Sequence, residues 1–352
     1  MVLLPTGSFD TTAWKQLLLD LSNEQADLLW VRILAEISKR TGGAALTHLA
    51  VNEGIPAALR HGPPEELDGK GNESGDGSAP ENILRSPTGL RILHGNFGPA
   101  FAEDTAPDFE NAFWVSTRQN GVFQTWAPRW TMFSRGNIKE KARLLSFHDD
   151  KPREYRKSLQ DTWAVDLYAG IGYFTFSYAK LGMRILCWEL NPWSVEGLRR
   201  GAKGNGWSVR VVKDENDLIL PMKELIGGGE QIIVFLEDNK HASRRIKELS
   251  EIDVSHVNCG LLPTSDASWK NAWDVAARNR GKEAWLHLHE NVGVADVEKR
   301  KGEIERYFQD LAHGNDDQRT ARVEHTELVK TFAPGVWHCV FDLYIIRSSS
   351  IT

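Results

Sequence analysis

The 352-residue chain is short of several things. It has three cysteines, Cys187, Cys259 and Cys339, each inside an apolar, strand-like run and no two at metal-ligand spacing. They read as small buried hydrophobes of a chain kept in a reducing compartment. No stretch approaches the roughly 18 consecutive apolar residues of a spanning helix, so no membrane contact is expected. The opening MVLLPTGSFD has neither a basic region nor a long apolar run, so no signal peptide is expected and the cytoplasm is the default location. A basic excess is missing too. Lys and Arg number 42 against 48 Asp and Glu, a formal charge of -6. No global field draws such a chain to nucleic acid, and any contact of that kind must use a local patch. No Gly-Lys-Ser/Thr follows a glycine turn, which excludes a P-loop, and no Ser or Cys stands in a nucleophile elbow. His256, His287, His289 and His338 fall at strand positions without a helical His pair, so no metal centre is expected.

What is present is enough hydrophobic residue, 41%, for one large or two modest domains with a core. The first 60 or so residues place apolar side chains at helical spacing in WKQLLLDL and ADLLWVRILAEISKR. Residues 61–82 are Gly, Pro, Ser and acid, and read as a disordered surface insertion. GLRILHG, NAFWVST and GVFQTWAP are strand-like, and QNG at 119–121 signals a hairpin between the last two. TMFSRGNIKEKARLLSF (131–147) reads as a strand running into a helix, with Asn137 as N-cap and Glu140 three residues on. A polar linker follows at 148–161. The expected division is a small α+β domain at 1–147 and a second domain at 148–352.

From 162 the rhythm is strand, turn, helix. WAVDLY, MRILCWE, QIIVFLE, HVNCGLL and AWLHLHENV each precede a helical pattern, and RVEHTELVKTFA and HCVFDLYII close the chain as paired strands. That alternation predicts a mostly parallel sheet covered on both faces. The stretch 207–230 fits either a third strand with a helix or an insertion; the stronger ending of QIIVFLED favours insertion.

In such sheets ligands bind beyond the carboxyl ends of the strands. The first strand ends in Asp166, followed by LYAGIG, whose Gly170 and Gly172 let backbone approach a ligand closely. Asp166 either binds a cofactor amino group or orients the turn. The second ends in Glu189, 23 residues on, where a carboxylate can accept from both hydroxyls of a ribose. The third ends in LEDN, where Asp238 or Asn239 suits an adenine edge. Three adenosine-suited strand ends in order make an S-adenosylmethionine (SAM) site the best single explanation. Outside the sheet lies FSRGNIKEK, and residues 135–157 hold eight Lys or Arg against four Asp or Glu. With Arg199, Arg200 and Lys203 these form either solvated helix faces or a phosphate-contacting stripe.

These motifs carry a resemblance. MFSRGNIKEK, VDLYAGIGYFTF, WELNPWSVEGLRR, LEDN, VNCGLLPTS, LHLHENV and VKTFAPGVWHCVFDL resemble the tRNA wybutosine-synthesising protein 2 family over most of 84–346. HLAVNEGIP looks like that family's preceding domain, and a further N-terminal domain of many relatives is expected to be missing. The family's enzymes are SAM-dependent tRNA 3-amino-3-carboxypropyltransferases related to the guanine-37-N1 methyltransferases. The resemblance implies a Rossmann-like class I SAM-dependent methyltransferase fold, α/β, with a preceding small α+β domain. It implies SAM as co-substrate with no metal, and the anticodon loop of phenylalanine tRNA as partner, with other wybutosine-pathway enzymes as further partners. The implied reaction transfers the 3-amino-3-carboxypropyl group to the C7 side chain of 4-demethylwyosine at position 37 and releases methylthioadenosine. Where the methyltransferase relatives carry Asn-Pro-Pro and an aromatic, VNCGLLPTS has Asn258 followed by Cys259 and Gly260. Carried over, the cofactor contacts are Ser134, Lys141, Asp166, Gly170, Glu189, Asp238 and Asn239. Lys141 would pair with the methionine carboxylate, and Arg135 would face the base or a phosphate as the catalytic group. Lys240 stands where relatives usually have Arg. The competing readings are guanine-37-N1 methylation, a non-catalytic SAM-fold module that binds tRNA or protein, and a small-molecule SAM transferase.

Overall fold

A computed structural model describes residues 1–52, 82–87, 89–99, 106–249, 252–277, 283–314 and 319–347. Residues 61–81 of the expected insertion lie outside them. Asn82, its last residue, is described and departs from the expectation: it is buried, and its side chain exchanges hydrogen bonds with the Ser86 N–H (3.1 Å) and carbonyl (2.9 Å). By compactness the chain forms two units, residues 1–115 with 126–133, and residues 116–125 with 134–352. No helix among the described residues is long and apolar enough to cross a membrane.

In the first unit, β1 (Val2–Leu4), β2 (Leu49–Val51) and β3 (Arg91–His94) form a sheet in that order, β1 parallel and β3 antiparallel to β2. The expected helices run Thr12–Asp20 and Asn23–Arg40. Ser22 starts the second with a capping box: its hydroxyl accepts from the Gln25 N–H, and the Gln25 side chain accepts from the Ser22 N–H. Trp30, Leu34 and Leu49 make the small core.

β4 (Val115–Gln119) and β5 (Val122–Trp126) pair as a hairpin, of which residues 116–125 belong to the second unit. Asn120 and Gly121 at its tip have φ of +51° and +72°, the left-handed pair that a two-residue turn of this twist requires. The main sheet holds β6 (Trp163–Asp166), β7 (Arg184–Glu189), β8 (Val209–Val212), β9 (Ile232–Leu236), β10 (Val254–Cys259), β11 (Glu283–Gly293), β12 (Arg319–Ala333) and β13 (Val336–Arg347). Their order is β12-β13-β11-β10-β6-β7-β9-β8, parallel except where β13 joins β11 and β12. The order reverses direction between β6 and β10, the position at which doubly wound sheets open a ligand crevice.

The stretch 207–230 does form a strand, β8, and two short helices, but β8 lies outboard of β9. QIIVFLE therefore keeps the place beside β7. Residues 131–134 are irregular, not a strand, and the helix Ile138–Leu145 begins after a 3-10 turn at Arg135–Asn137. Asn137 makes no side-chain cap, because that turn has already drawn its backbone out of the extended conformation an N-cap needs. The polar stretch 148–161 contains a helix, Arg153–Ser158.

Strand residues alternate between two cores. Trp163, Val165, Leu186, Trp188, Leu286, Leu288, Phe341 and Leu343 belong to one, while Ala164, Ile185, Cys187 and Val234 belong to the other. The three cysteines are buried and free, as expected.

Candidate active site

Asp166 ends β6 completely buried. Its carboxylate accepts from the Tyr168 N–H (3.3 Å), the Thr175 N–H (3.1 Å) and hydroxyl (2.8 Å), and the Asn258 side-chain amide (3.0 Å). Burial pushes its pKa up, and four donors are the compensation a buried carboxylate needs. Of the two roles considered for Asp166, this geometry is that of a group that orients the turn. The turn passes through Gly170 and Gly172 at φ +53° and +87°; a Cβ at Gly172 would lie 2.6 Å from the Phe176 ring.

Glu189 ends β7 partly exposed. One oxygen accepts from the Gly170 N–H and the other from the Asn191 N–H, both at 2.8 Å. The Leu190 N–H is a third backbone donor to this carboxylate. The acid thereby pins the glycine turn to the start of the next helix, which Asn191 caps through the Trp193 N–H (2.9 Å). Beyond β9, Asn239 donates to the Leu167 carbonyl (2.7 Å), so LEDN is tied to the same turn. Asp238 caps its own turn at the Lys240 N–H (2.9 Å) and stays 39% exposed beside the Lys240 ammonium. Asp166, Gly170, Glu189, Asp238 and Asn239 thus converge at the carboxyl ends of three adjacent strands.

Ser134 and Lys141 meet this set at Tyr173. The Tyr173 hydroxyl hydrogen-bonds to the Ser134 backbone, and the Lys141 ammonium lies 5.2 Å from the Tyr173 ring centre. Lys141 is only 5% exposed. Its ammonium donates to Gln124 (2.7 Å) and Gln119 (3.1 Å) of the hairpin, and burial pulls its pKa down to about 7. The Ser134 hydroxyl accepts from Lys330 (3.3 Å), whose stem packs against Gly136. Arg135 is exposed at the surface of this motif. Arg199 and Arg200, expected in a phosphate stripe, are both engaged with Glu196 on their own helix.

Sequence reasoning passed over a polar ladder under the helix Ile138–Leu145. Arg143 forks onto Asp342 (2.5 and 3.0 Å) and onto Glu140 (2.8 and 2.6 Å). Asp342 also accepts a hydrogen bond from His287 Nδ1 (2.7 Å). With Nδ1 donating, His287 Nε2 accepts from His256 Nδ1 (3.0 Å), and His256 Nε2 accepts from His148 Nε2 (2.8 Å). Burial presses on Asp342 from one side, but His287 and Arg143 hold its pKa below the usual carboxylate range. The legible signal was LHLHEN, whose His287, His289 and Asn291 share one strand face. No group of three or more His, Cys, Asp or Glu that could hold a metal ion occurs among the described residues.

No family model matches the chain. Over 300 residues it is 39% identical to tRNA wybutosine-synthesizing protein 2 of Schizosaccharomyces pombe, covering 85% of this chain and 61% of that protein. The Saccharomyces cerevisiae protein of the same name is 32% identical over 331 residues, 86% and 61% of the two chains. The chain thus spans about 61% of the length of these curated relatives. Among solved structures, M. jannaschii TYW2 in complex with AdoMet superposes with a TM-score of 0.50 at 22% identity, over 74% of this chain and 91% of that one. Trm5b from Pyrococcus abyssi gives 0.54 at 14% identity, over 90% and 68%. The expected Rossmann-like, SAM-dependent methyltransferase fold is therefore present. Over 85% of its length the chain is thus similar in sequence to the Schizosaccharomyces pombe protein of that name.

Proposed function

We propose that this chain is a SAM-dependent tRNA 3-amino-3-carboxypropyltransferase of wybutosine synthesis. The acceptor is the C7 side chain of 4-demethylwyosine at position 37 of phenylalanine tRNA, and the by-product is methylthioadenosine. Its curated relatives carry the name of that pathway, and one structural neighbour was solved with AdoMet.

The strand-end groups fit this co-substrate. Glu189, partly exposed at its strand end, would receive a ribose hydroxyl, and the half-exposed Asp238 the adenine amine, with Asn239 fixing the turn beside it. Gly170 would let the backbone approach. Ser134 and Lys141 would receive the methionine arm, Lys141 as the cation for its carboxylate. Arg135, outermost, would face the base or its phosphate. Asp166 positions the turn rather than touching a ligand. SAM supplies a sulfonium with three carbon substituents, and the residues select the one presented to the nucleophile at near-attack distance.

The observation that carries the reading is how Asn258 is used. Its amide donates to Asp166, and Cys259 and Gly260 follow it. The Pro-Pro-aromatic shelf that would hold a target nitrogen at the methyl group is missing. Incubation with SAM and tRNA from a strain blocked after 4-demethylwyosine, with mass analysis of the small-molecule product, tests the proposal. Methylthioadenosine is expected; S-adenosylhomocysteine would make the chain a methyltransferase and overturn it.

A further inference from the structure

We infer that Asn258, His289, Asn291 and His338 form the part of the transfer site that holds the uncharged hydrogen-bonding edge of the acceptor nucleobase. The inference rests on the proposed function and adds residues to it.

Position comes first. Asn258 lies on β10, His289 and Asn291 on β11, and His338 on β13, all towards the ligand end of the parallel strands. Asn291 is paired in register with His338, and its N–H donates to the Pro263 carbonyl (2.7 Å), at the end of the CGLLP turn. Phe174, from the glycine turn, packs on His289 with ring centres 4.8 Å apart. His338 is paired in register with Lys330 of β12, the residue that donates to Ser134. The cluster therefore lies where the three sequence motifs meet.

Satisfaction comes second. Asn258, His289 and His338 are at most 1% exposed. His289 Nδ1 and His338 Nε2 share one hydrogen bond of 2.9 Å. Asn258 Oδ1, His289 Nε2, His338 Nδ1 and both polar atoms of the Asn291 side chain are buried without a partner. Folded proteins leave few such groups, and each one calls for an explanation. The four on His289, Asn291 and His338 adjoin one another through the shared hydrogen bond and the strand register, so one partner from outside the protein would satisfy them together.

Chemistry comes third. Two neutral imidazoles joined by one hydrogen bond leave one donor and one acceptor unused at their free ends, whichever ring donates. Asn291 adds both kinds and Asn258 an acceptor. Burial keeps both rings from charging. Such a set suits neither a carboxylate nor a phosphate, which call for cations. It suits the mixed donor and acceptor edge of an unpaired base.

The test compares wild type with Asn291→Leu and His338→Phe, and with the conservative Asn291→Gln and His338→Gln. SAM affinity is measured by calorimetry, and kcat and KM with tRNA carrying 4-demethylwyosine. The expected result is a SAM Kd within about twofold of wild type and a kcat/KM for tRNA lower by about 10–100-fold, with partial recovery in the conservative pair. Equal losses in SAM affinity and tRNA turnover would assign the cluster to the cofactor arm or to folding and overturn the inference. Unchanged kinetics in all four variants would leave it a water-filled core site and overturn it equally. An active wild type with silent variants sinks this inference alone; a wild type that transfers nothing sinks the proposed function with it.

Discussion

Lys141 offers the sharpest test of the site, because its environment sets a sign as well as a size. Its pKa falls from an ordinary 10.5 to about 7 on folding, through burial. Below pH 7 both folded and unfolded chains hold the proton, and stability does not change with pH on this account. Between about 7 and 10.5 only the unfolded chain holds it, so the unfolding free energy rises with pH, by about 1.4 kcal/mol per unit. The full interval amounts to about 5 kcal/mol, which is the cost of keeping the ammonium charged in this site near pH 6. Lys141→Met removes that cost but leaves Gln119 and Gln124 without their donor, a loss of about 1–3 kcal/mol. The variant should therefore be the more stable protein at pH 6, by about 2 kcal/mol or more, and lose that advantage as pH rises to 9. Urea unfolding of both proteins from pH 6 to 9 measures the difference. A difference that stays flat with pH would show that water reaches Lys141 and would refute the reasoning. The same variant should bind SAM more weakly, and wild type should take up close to one proton on binding SAM at pH 8, read by calorimetry in buffers of different ionisation enthalpy. A lysine retained at a stability cost is what a ligand site demands and a structural role does not.

Three further outcomes follow from the geometry. Glu189→Gln replaces an acceptor oxygen with an amide facing the Gly170 or Asn191 N–H, and should weaken SAM binding about 10–100-fold in equilibrium dialysis. Gly172→Ala meets both φ +87° and the Phe176 ring at 2.6 Å, and should lower stability by about 1–3 kcal/mol by thermal melting; a neutral substitution would mean that the turn is not held as described. Asp342→Ala leaves His287 Nδ1 without its carboxylate and Arg143 with Glu140 alone in the core and should cost about 3–5 kcal/mol in urea unfolding.

The sequence made the sheet legible and its polar interior nearly invisible. Runs such as WAVD and IIVFL, buried on both faces, announce parallel strands by composition alone. The acids and glycines at their ends were found because strand ends are where such sheets bind ligands. Val209–Val212 was hard to place because an edge strand of four residues has no companion face to betray it. The N-cap at Asn137 failed for a local reason, the 3-10 turn before it, and Glu140 was drawn instead to Arg143. The histidine ladder failed for a non-local one. His256 meets His148 across 108 residues and His287 across 31, and those pairings depend on strand register that no single stretch of sequence records.

That ladder also explains why the two faces of the sheet differ. On β10, β11 and β13 one face carries His256, Asn258, His287, His289, His338 and Asp342, the last meeting the helix Ile138–Leu145 through Arg143, while the opposite face carries Val257, Leu286, Leu288, Phe341 and Leu343. An apolar helix on an apolar face would gain burial energy over a range of positions, since that attraction is not directional. A fork from Arg143 to Asp342 is directional and fixes one position. Lys141 lies on the same helix, and Ser134 leads into it. The distance from Asp342 to the helix thus sets where Ser134 and Lys141 stand relative to Tyr173 and the glycine turn. A site that must present one of three sulfonium carbons, and no other, needs that placement to within a fraction of an ångström. The polar face therefore contributes less to stability than an apolar one would, and supplies the alignment on which the proposed choice of transferred group depends.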